Sequence, residues 1–127
     1  MKEGKHDDFR DLKVWQKCKE TRREIWILCK GFPKEETYRL CDQMIRASRS
    51  STACIAEGYG RFHYQETIQF CRQARGSLYE LIDHLDVALE SGYIDDQQAG
   101  RLISNTKEAI RLINGYIKYL KERKDLS

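Results

Sequence analysis

Apolar residues recur three and four positions apart along nearly the whole chain, and its single proline, Pro33, breaks that rhythm only once. Such spacing lays apolar side chains along one face of an α-helix. A sheet would need alternation with a period of two. Charged residues are abundant while Gly and Pro are sparse, a composition that favours long helices over the turn-rich connections of a sandwich or barrel. The chain is therefore confined to a few long helices with short links.

Four periodic segments are predicted, at about residues 9–30, 36–58, 65–91 and 96–123. The first carries Phe9, Leu12, Trp15, Cys18, Arg22, Ile25, Cys29 and Phe32, with Trp26 and Leu28 widening its face. Asp7 or Asp8 caps its start, Gly31 supplies its stop, and Phe32-Pro33 forces an extended break. The second begins near Glu36 and contains Tyr38, Leu40, Cys41, Met44, Ile45, Ser48, Thr52 and Ile55, with Gly58 and Gly60 read as its terminators. Ile68, Cys71, Ala74, Leu78, Leu81, Leu85 and Ala88 form the seam of the third. Gly76 sits inside that helix at a cost of about 1 kcal/mol relative to Ala, which a close crossing against Ala47 would explain. Asp95 and Gln98 make a capping box for the fourth, whose seam is Ala99, Ile103, Thr106, Ile110, Ile113, Ile117 and Leu120. Trp15, Trp26 and Tyr79 suit either a core or an interface. Short links make successive helices antiparallel neighbours. The expected fold is all-α, a single domain (1–127) forming an up-down-up-down antiparallel four-helix bundle.

Beside the apolar stripe of the second helix runs a polar one: Gln43, Arg46, Ser50, Cys54 and Glu57. The third helix has its own polar row at Gln73, Ser77, Glu80 and His84. A hairpin turning near Gly60 to Phe62 would set Gln43 against Glu80 and Arg46 against Ser77. A structural network of Gln43, Arg46, Glu57, Ser77 and Glu80 is expected, centred on an Arg46–Glu80 ion pair.

The sequence argues against several functions. No apolar run approaches the roughly 20 residues needed to cross a bilayer, and the charged N-terminal stretch lacks the apolar core of a secretory signal, so a soluble, cytoplasmic protein is expected. Cys18, Cys29, Cys41, Cys54 and Cys71 are scattered without a C-x-x-C pair and read as small hydrophobes in a reducing compartment. A carboxylate-bridged metal pair in a bundle needs two Glu-x-x-His motifs and two further Glu. Here Glu80 and His84 stand four apart with no second copy, His6 lies near the terminus and His63 in a turn. Ser50, Ser51 and Cys54 have no placed base, and Gly58-x-Gly60 follows a helix and lacks a Walker lysine. No catalytic residue, metal or cofactor is expected.

Charge is more informative. Residues 1–31 carry nine Lys/Arg against six Asp/Glu, residues 64–95 two against six, and residues 96–127 seven against four. Helices near the termini are basic and the third is acidic, which suits either complementarity between helices or a basic face for a phosphate backbone. Arg61 stands beside Tyr59, Phe62, His63 and Tyr64, an arrangement able to hold phosphate and stack on bases, or simply to close the bundle end. Lys118, Lys121, Arg123 and Lys124 are a second candidate contact, or a solvated helix end that complements the dipole. The reading is a non-enzymatic oligomeric bundle that binds nucleic acid, RNA or a ribonucleoprotein, through basic faces. The alternative is a protein-interaction scaffold without nucleic-acid binding.

Phe9-x-x-Leu12-x-x-Trp15, Phe32-Pro33, Tyr38-x-Leu40, Gln43-x-x-Arg46, Ile55-Ala56-Glu57-Gly58, Gly76-Ser77-x-x-Glu80-Leu81 and Gly92-Tyr93-Ile94 occur in order. Over about Phe9 to Leu120 this pattern resembles the four-helix-bundle proteins encoded in intervening sequences of bacterial 23S rRNA genes. The resemblance implies a left-handed bundle assembling as a ring-like homopentamer. It also implies kinship with the accessory proteins of diversity-generating retroelements, basic pentamers that associate with nucleic acid and a reverse transcriptase. Cys54 stands where that family usually has Asn, so any hydrogen bond the Asn would make is lost or rerouted.

Overall fold

A computed structural model describes residues 8–126. Helices α1 (Lys13–Cys29), α2 (Leu40–Gly60), α3 (Tyr64–Glu90) and α4 (Asp96–Leu126) are joined by short connections, with single 3-10 turns at Phe9–Asp11 and Lys34–Glu36. Each helix packs on its neighbours in sequence, and α1 also packs on α4, which closes the bundle. Partners such as Ser50 with Ser77 and Cys54 with Gln73 run in opposite directions along α2 and α3, so that hairpin is antiparallel. The expected four-helix bundle is what the chain forms.

The core follows the periodicity. Every predicted seam residue of α3 is buried, as are Ala99, Thr106, Ile110, Ile113, Ile117 and Leu120 of α4. Trp15, Cys18 and Ile25 bury the inner face of α1, while Trp26 is turned outward and left 48% exposed. Tyr79 also faces out. Asp95 and Gln98 make the capping box: the Gln98 N–H donates to Asp95 Oδ1 at 2.8 Å and the Asp95 N–H to Gln98 Oε1 at 3.1 Å.

The helix starts differ from expectation. Asp8 caps only the 3-10 turn, its carboxylate accepting from the Arg10 N–H at 2.7 Å. Leu12 is extended (φ −72°, ψ 129°) and buried, and α1 begins after it. Asp7, the other suggested cap, and His6 lie outside the described residues. Glu36 does not open α2 either. Pro33 is extended (ψ 146°), a 3-10 turn follows, Tyr38 is exposed, and α2 starts at Leu40. Glu36 instead accepts from the Leu40 N–H at 3.3 Å and from the Tyr93 hydroxyl at 2.7 Å. This ties the α1–α2 link to the α3–α4 link.

The glycines carry the main corrections. Gly92 alone of the described glycines has positive φ (79°), so Gly31 is not a left-handed stop. Gly58 and Gly60 lie inside α2, and the left-handed residue that turns the chain is Phe62 (φ 54°). Gly76 has open space around it and makes no close crossing with Ala47. The close approach is at Gly58. A Cβ there would lie 2.8 Å from Phe70 Cβ and 3.3 Å from the Thr67 carbonyl oxygen. Thr67 Oγ1 donates to the Gly58 carbonyl at 2.8 Å, closing the contact with a hydrogen bond.

Gly58→Ala should therefore lower the thermal midpoint, because overpacking costs about 1–3 kcal/mol against about 1 kcal/mol of helix propensity. Gly76→Ala, into open space, should raise stability by up to about 1 kcal/mol. A rise for both in calorimetry would disprove the close-approach account.

Candidate nucleic-acid interface

The polar stripes of α2 and α3 meet, but one turn away from the expected register. Ser77 Oγ donates to Ser50 Oγ at 2.9 Å instead of facing Arg46. Ser50 Oγ lies 3.7 Å from Cys54 Sγ, which donates to Gln73 Oε1 at 3.9 Å. Cys54 thus occupies a hydrogen-bonding place in a short ladder of Ser50, Cys54, Gln73 and Ser77.

The Arg46–Glu80 pair does not form. Arg46 is 77% exposed and reaches Asp42 on its own helix at 3.7 Å, while Glu80 contacts His84 Nε2 at 3.0 Å. Gln43 is exposed, and Glu57 pairs with Arg61 at 3.1 Å. Of the expected network only Ser77 sits in the helix contact. Burying a guanidinium requires that all its lost hydration be replaced, and a seam of serine and thiol offers too few acceptors. Small polar groups fit there because they bond locally. Ser48, Ser51 and Thr52 donate to the carbonyls of Ile45, Ser48 and Arg49 on their own helix at 2.7–3.0 Å. Among the described residues no buried side-chain polar atom lacks a hydrogen-bond partner.

The five cysteines are free. Burial pushes the Cys18 and Cys71 thiols up to about 12, far from a reactive thiolate. No group of three or more His, Cys, Asp or Glu positioned for a metal ion occurs among the described residues.

One end of the bundle gathers the cationic candidates. Antiparallel topology puts the α2–α3 turn beside the C-terminal end of α4. Lys124 Nζ donates to Gln65 Oε1 across this junction at 2.8 Å. Phe62, His63, Tyr64, Gln65 and Lys124 line an open groove of about 330 Å³. Arg61 follows α2, its guanidinium carbon 5.2 Å from the Phe70 ring centroid. Phe62 holds its ring 85% exposed, with Tyr59 6.1 Å away. Lys118, Lys121 and Arg123 are exposed on the last turns of α4. The two clusters that the sequence separates by more than fifty residues thus share one end. The arrangement offers cations for phosphates and aromatic faces for bases. Sequence reasoning missed the surroundings of Trp26, because its spacing from Trp15 and Ile25 left its face undecided.

A family profile described as 23S rRNA-intervening sequence protein matches residues 10–115. The fold is similar to the crystal structure, at 1.70 Å, of a protein with unknown function from the S23 ribosomal protein family of Bacteroides thetaiotaomicron VPI-5482. That similarity has a TM-score of 0.77 at 23% identity and covers 83% of this chain and 95% of the other. No curated protein matches the chain significantly.

The thiols give a pH test. Their folded-state values lie above the unfolded value of 9.0, so the folded state keeps protons that the unfolded chain loses. The contribution of these two thiols is constant below about pH 9 and is lost from there towards pH 12, by up to about 1.4 kcal/mol per pH unit for each of Cys18 and Cys71. Urea unfolding at pH 8.5 and 10.5 should show the loss, and Cys71→Ala should reduce its slope. An unchanged slope in that variant would mean that the thiol is not the titrating group.

Proposed function

This chain belongs to the 23S rRNA-intervening sequence protein family, and on that premise we propose that it is a non-enzymatic, cytoplasmic helical bundle that binds nucleic acid. The observation that carries the reading is the convergence of Arg61, Lys118, Lys121, Arg123 and Lys124 with exposed Phe62, His63 and Tyr64 at one end. Such a surface meets phosphates with cations and unpaired bases with rings. RNA or a ribonucleoprotein is the partner this combination suits best. No helix among the described residues is long and apolar enough to cross a membrane, and five free cysteines suit a reducing compartment.

Self-association belongs to the same proposal. The outer side of α3 exposes Tyr79 and Val87 among Glu80, Asp83, Asp86 and Glu90. Across the bundle, a groove between α1 and α4 is lined by Lys13, Val14, Arg111, Leu112, Tyr116 and Tyr119. An acidic apolar face and, on a different side, an apolar groove that carries Lys13, with Arg111 there paired to Glu108, suit a head-to-tail contact, the kind that closes into a ring. Five copies is the number the family resemblance suggests. Repetition would turn a small basic patch into a multivalent one. The same acidic face favours the second reading, a scaffold that assembles with itself and with protein partners alone.

Solution mass and RNA and DNA binding across a salt series separate the two. Nucleic-acid binding predicts an oligomer whose affinity falls steeply with salt. Replacing Lys118, Lys121, Arg123 and Lys124 with Gln should then flatten the logarithmic slope by about 0.9 for each duplex phosphate that is no longer neutralised. An oligomer that binds neither polymer at low salt would leave the scaffold.

A further inference from the structure

We propose that the groove between α1 and α2 is a second nucleic-acid site, one that takes an unpaired strand by stacking a base on Trp26 and holding its flanking phosphates with Arg23 and Arg49. The proposal deepens the reading of nucleic-acid binding, on which it rests, by adding a place and a strand state.

The groove holds about 330 Å³. Arg22, Arg23 and Trp26 come from α1, and Ile45, Ser48 and Arg49 from α2. Three guanidiniums and no carboxylate line it. The larger groove on the outer side of α1, about 570 Å³, instead mixes Glu20 and Glu24 with its cations. Glu24 is further engaged there by Arg101 at 3.0 Å and by Asn105. Asp42, on α2, is paired with Arg46. No ion pair is made by Arg22, Arg23, Lys30 or Arg49 among the described residues. Arg23 also borders the outer groove with its Glu20 and Glu24, whereas no carboxylate lines the α1–α2 groove itself, which is therefore positive.

Its aromatic member is already surrounded by cations. Lys30 Nζ lies 5.5 Å and the Arg49 guanidinium carbon 5.6 Å from the Trp26 ring centroid, yet nearly half of the residue remains open to solvent. Both cations lie over the ring, so a base that stacks on the indole displaces one of them, and the displaced cation meets the flanking phosphate. Arg22 is fixed in place: Nη1 donates to Thr52 Oγ1 at 3.0 Å and the guanidinium carbon lies 5.8 Å from the Trp15 ring centroid. Thr52 in turn donates to the Arg49 carbonyl, so one hydroxyl connects both walls. Exposed Ile27 and half-buried Ile45 extend the apolar surface. A duplex keeps its bases stacked on one another and offers Trp26 no free face. An unpaired strand does.

The two tryptophans make the test direct, since Trp15 is buried. The full-length protein is titrated at low salt with oligo-U, oligo-dT and a duplex of equal length. Fluorescence should be quenched by the single strands, with little response to the duplex, and the quenching should vanish in Trp26→Phe. Anisotropy should show about tenfold weaker binding for Trp26→Ala, within the range for loss of one stacked base. Arg23→Ala and Arg49→Ala should each flatten the salt slope by about 0.7, the value for one single-strand phosphate. Preference between oligo-U and oligo-dT separates RNA from DNA as the source of the strand. If Trp26→Ala and Arg49→Ala bind as the parent does while the Gln variant of the α4 cluster fails, the groove proposal is wrong and nucleic-acid binding stands. Binding by no polymer at low salt overturns both. Equal quenching by the duplex, or an oligomer that dissociates in Trp26→Ala while the circular dichroism melt is preserved, overturns the groove proposal, the second by making it a subunit contact.

Discussion

The contact between α2 and α3 at Gly58 governs the rest of the bundle. With Phe70 Cβ and the Thr67 backbone against its Cα, the two helix axes come together at the turn end. The Thr67 hydroxyl bonds to the Gly58 carbonyl and also to the His63 carbonyl, so the approach leaves no buried donor unmet. Farther along α2 the same need is met by Ser48, Ser51 and Thr52, whose hydroxyls return to carbonyls of their own helix. The helix presents a narrow surface with its polar groups satisfied, and α1 and α4 pack on the sides that this hairpin leaves.

The helical faces were legible in the sequence wherever one face alone was apolar. Ile68 through Ala88 fall inward as their spacing requires, as does the α4 seam except Ile103, which is only half-buried while its neighbour Leu102 takes the core position. The helix ends were less legible, because the competing interactions are local and weak. Leu12 leaves the helical conformation to enter the core, and Glu36 is recruited by Tyr93, a partner fifty-seven positions away. Glycine was the most ambiguous letter. Gly58 and Gly76 look alike in sequence, yet one touches another helix and the other faces open space. Spacing along one helix carries no information about the distance to the next.

The same limit applies to the interface. Arg46 and Glu80 belong to the polar rows of α2 and α3, but each finds a partner on its own helix: Asp42 offers Arg46 a solvated carboxylate one turn away, and Glu80 contacts His84. Charge tallies located basic segments without saying which of them share a side. Only the packed bundle brings Gln65 to Lys124 and sets Arg49 against the Trp26 ring. The motif order along the chain did identify the family, since order survives even where single contacts are misjudged.

Phe62 holds a left-handed backbone, a conformation costing an L-residue roughly 1–2 kcal/mol that glycine would avoid. The turn that holds it is only three residues long, between helices of 21 and 27 residues. The main chain there has little freedom left to lose. A molecule that settled on this ring would find the backbone of the turn already ordered, and the freedom it removed would be chiefly that of the exposed side chain.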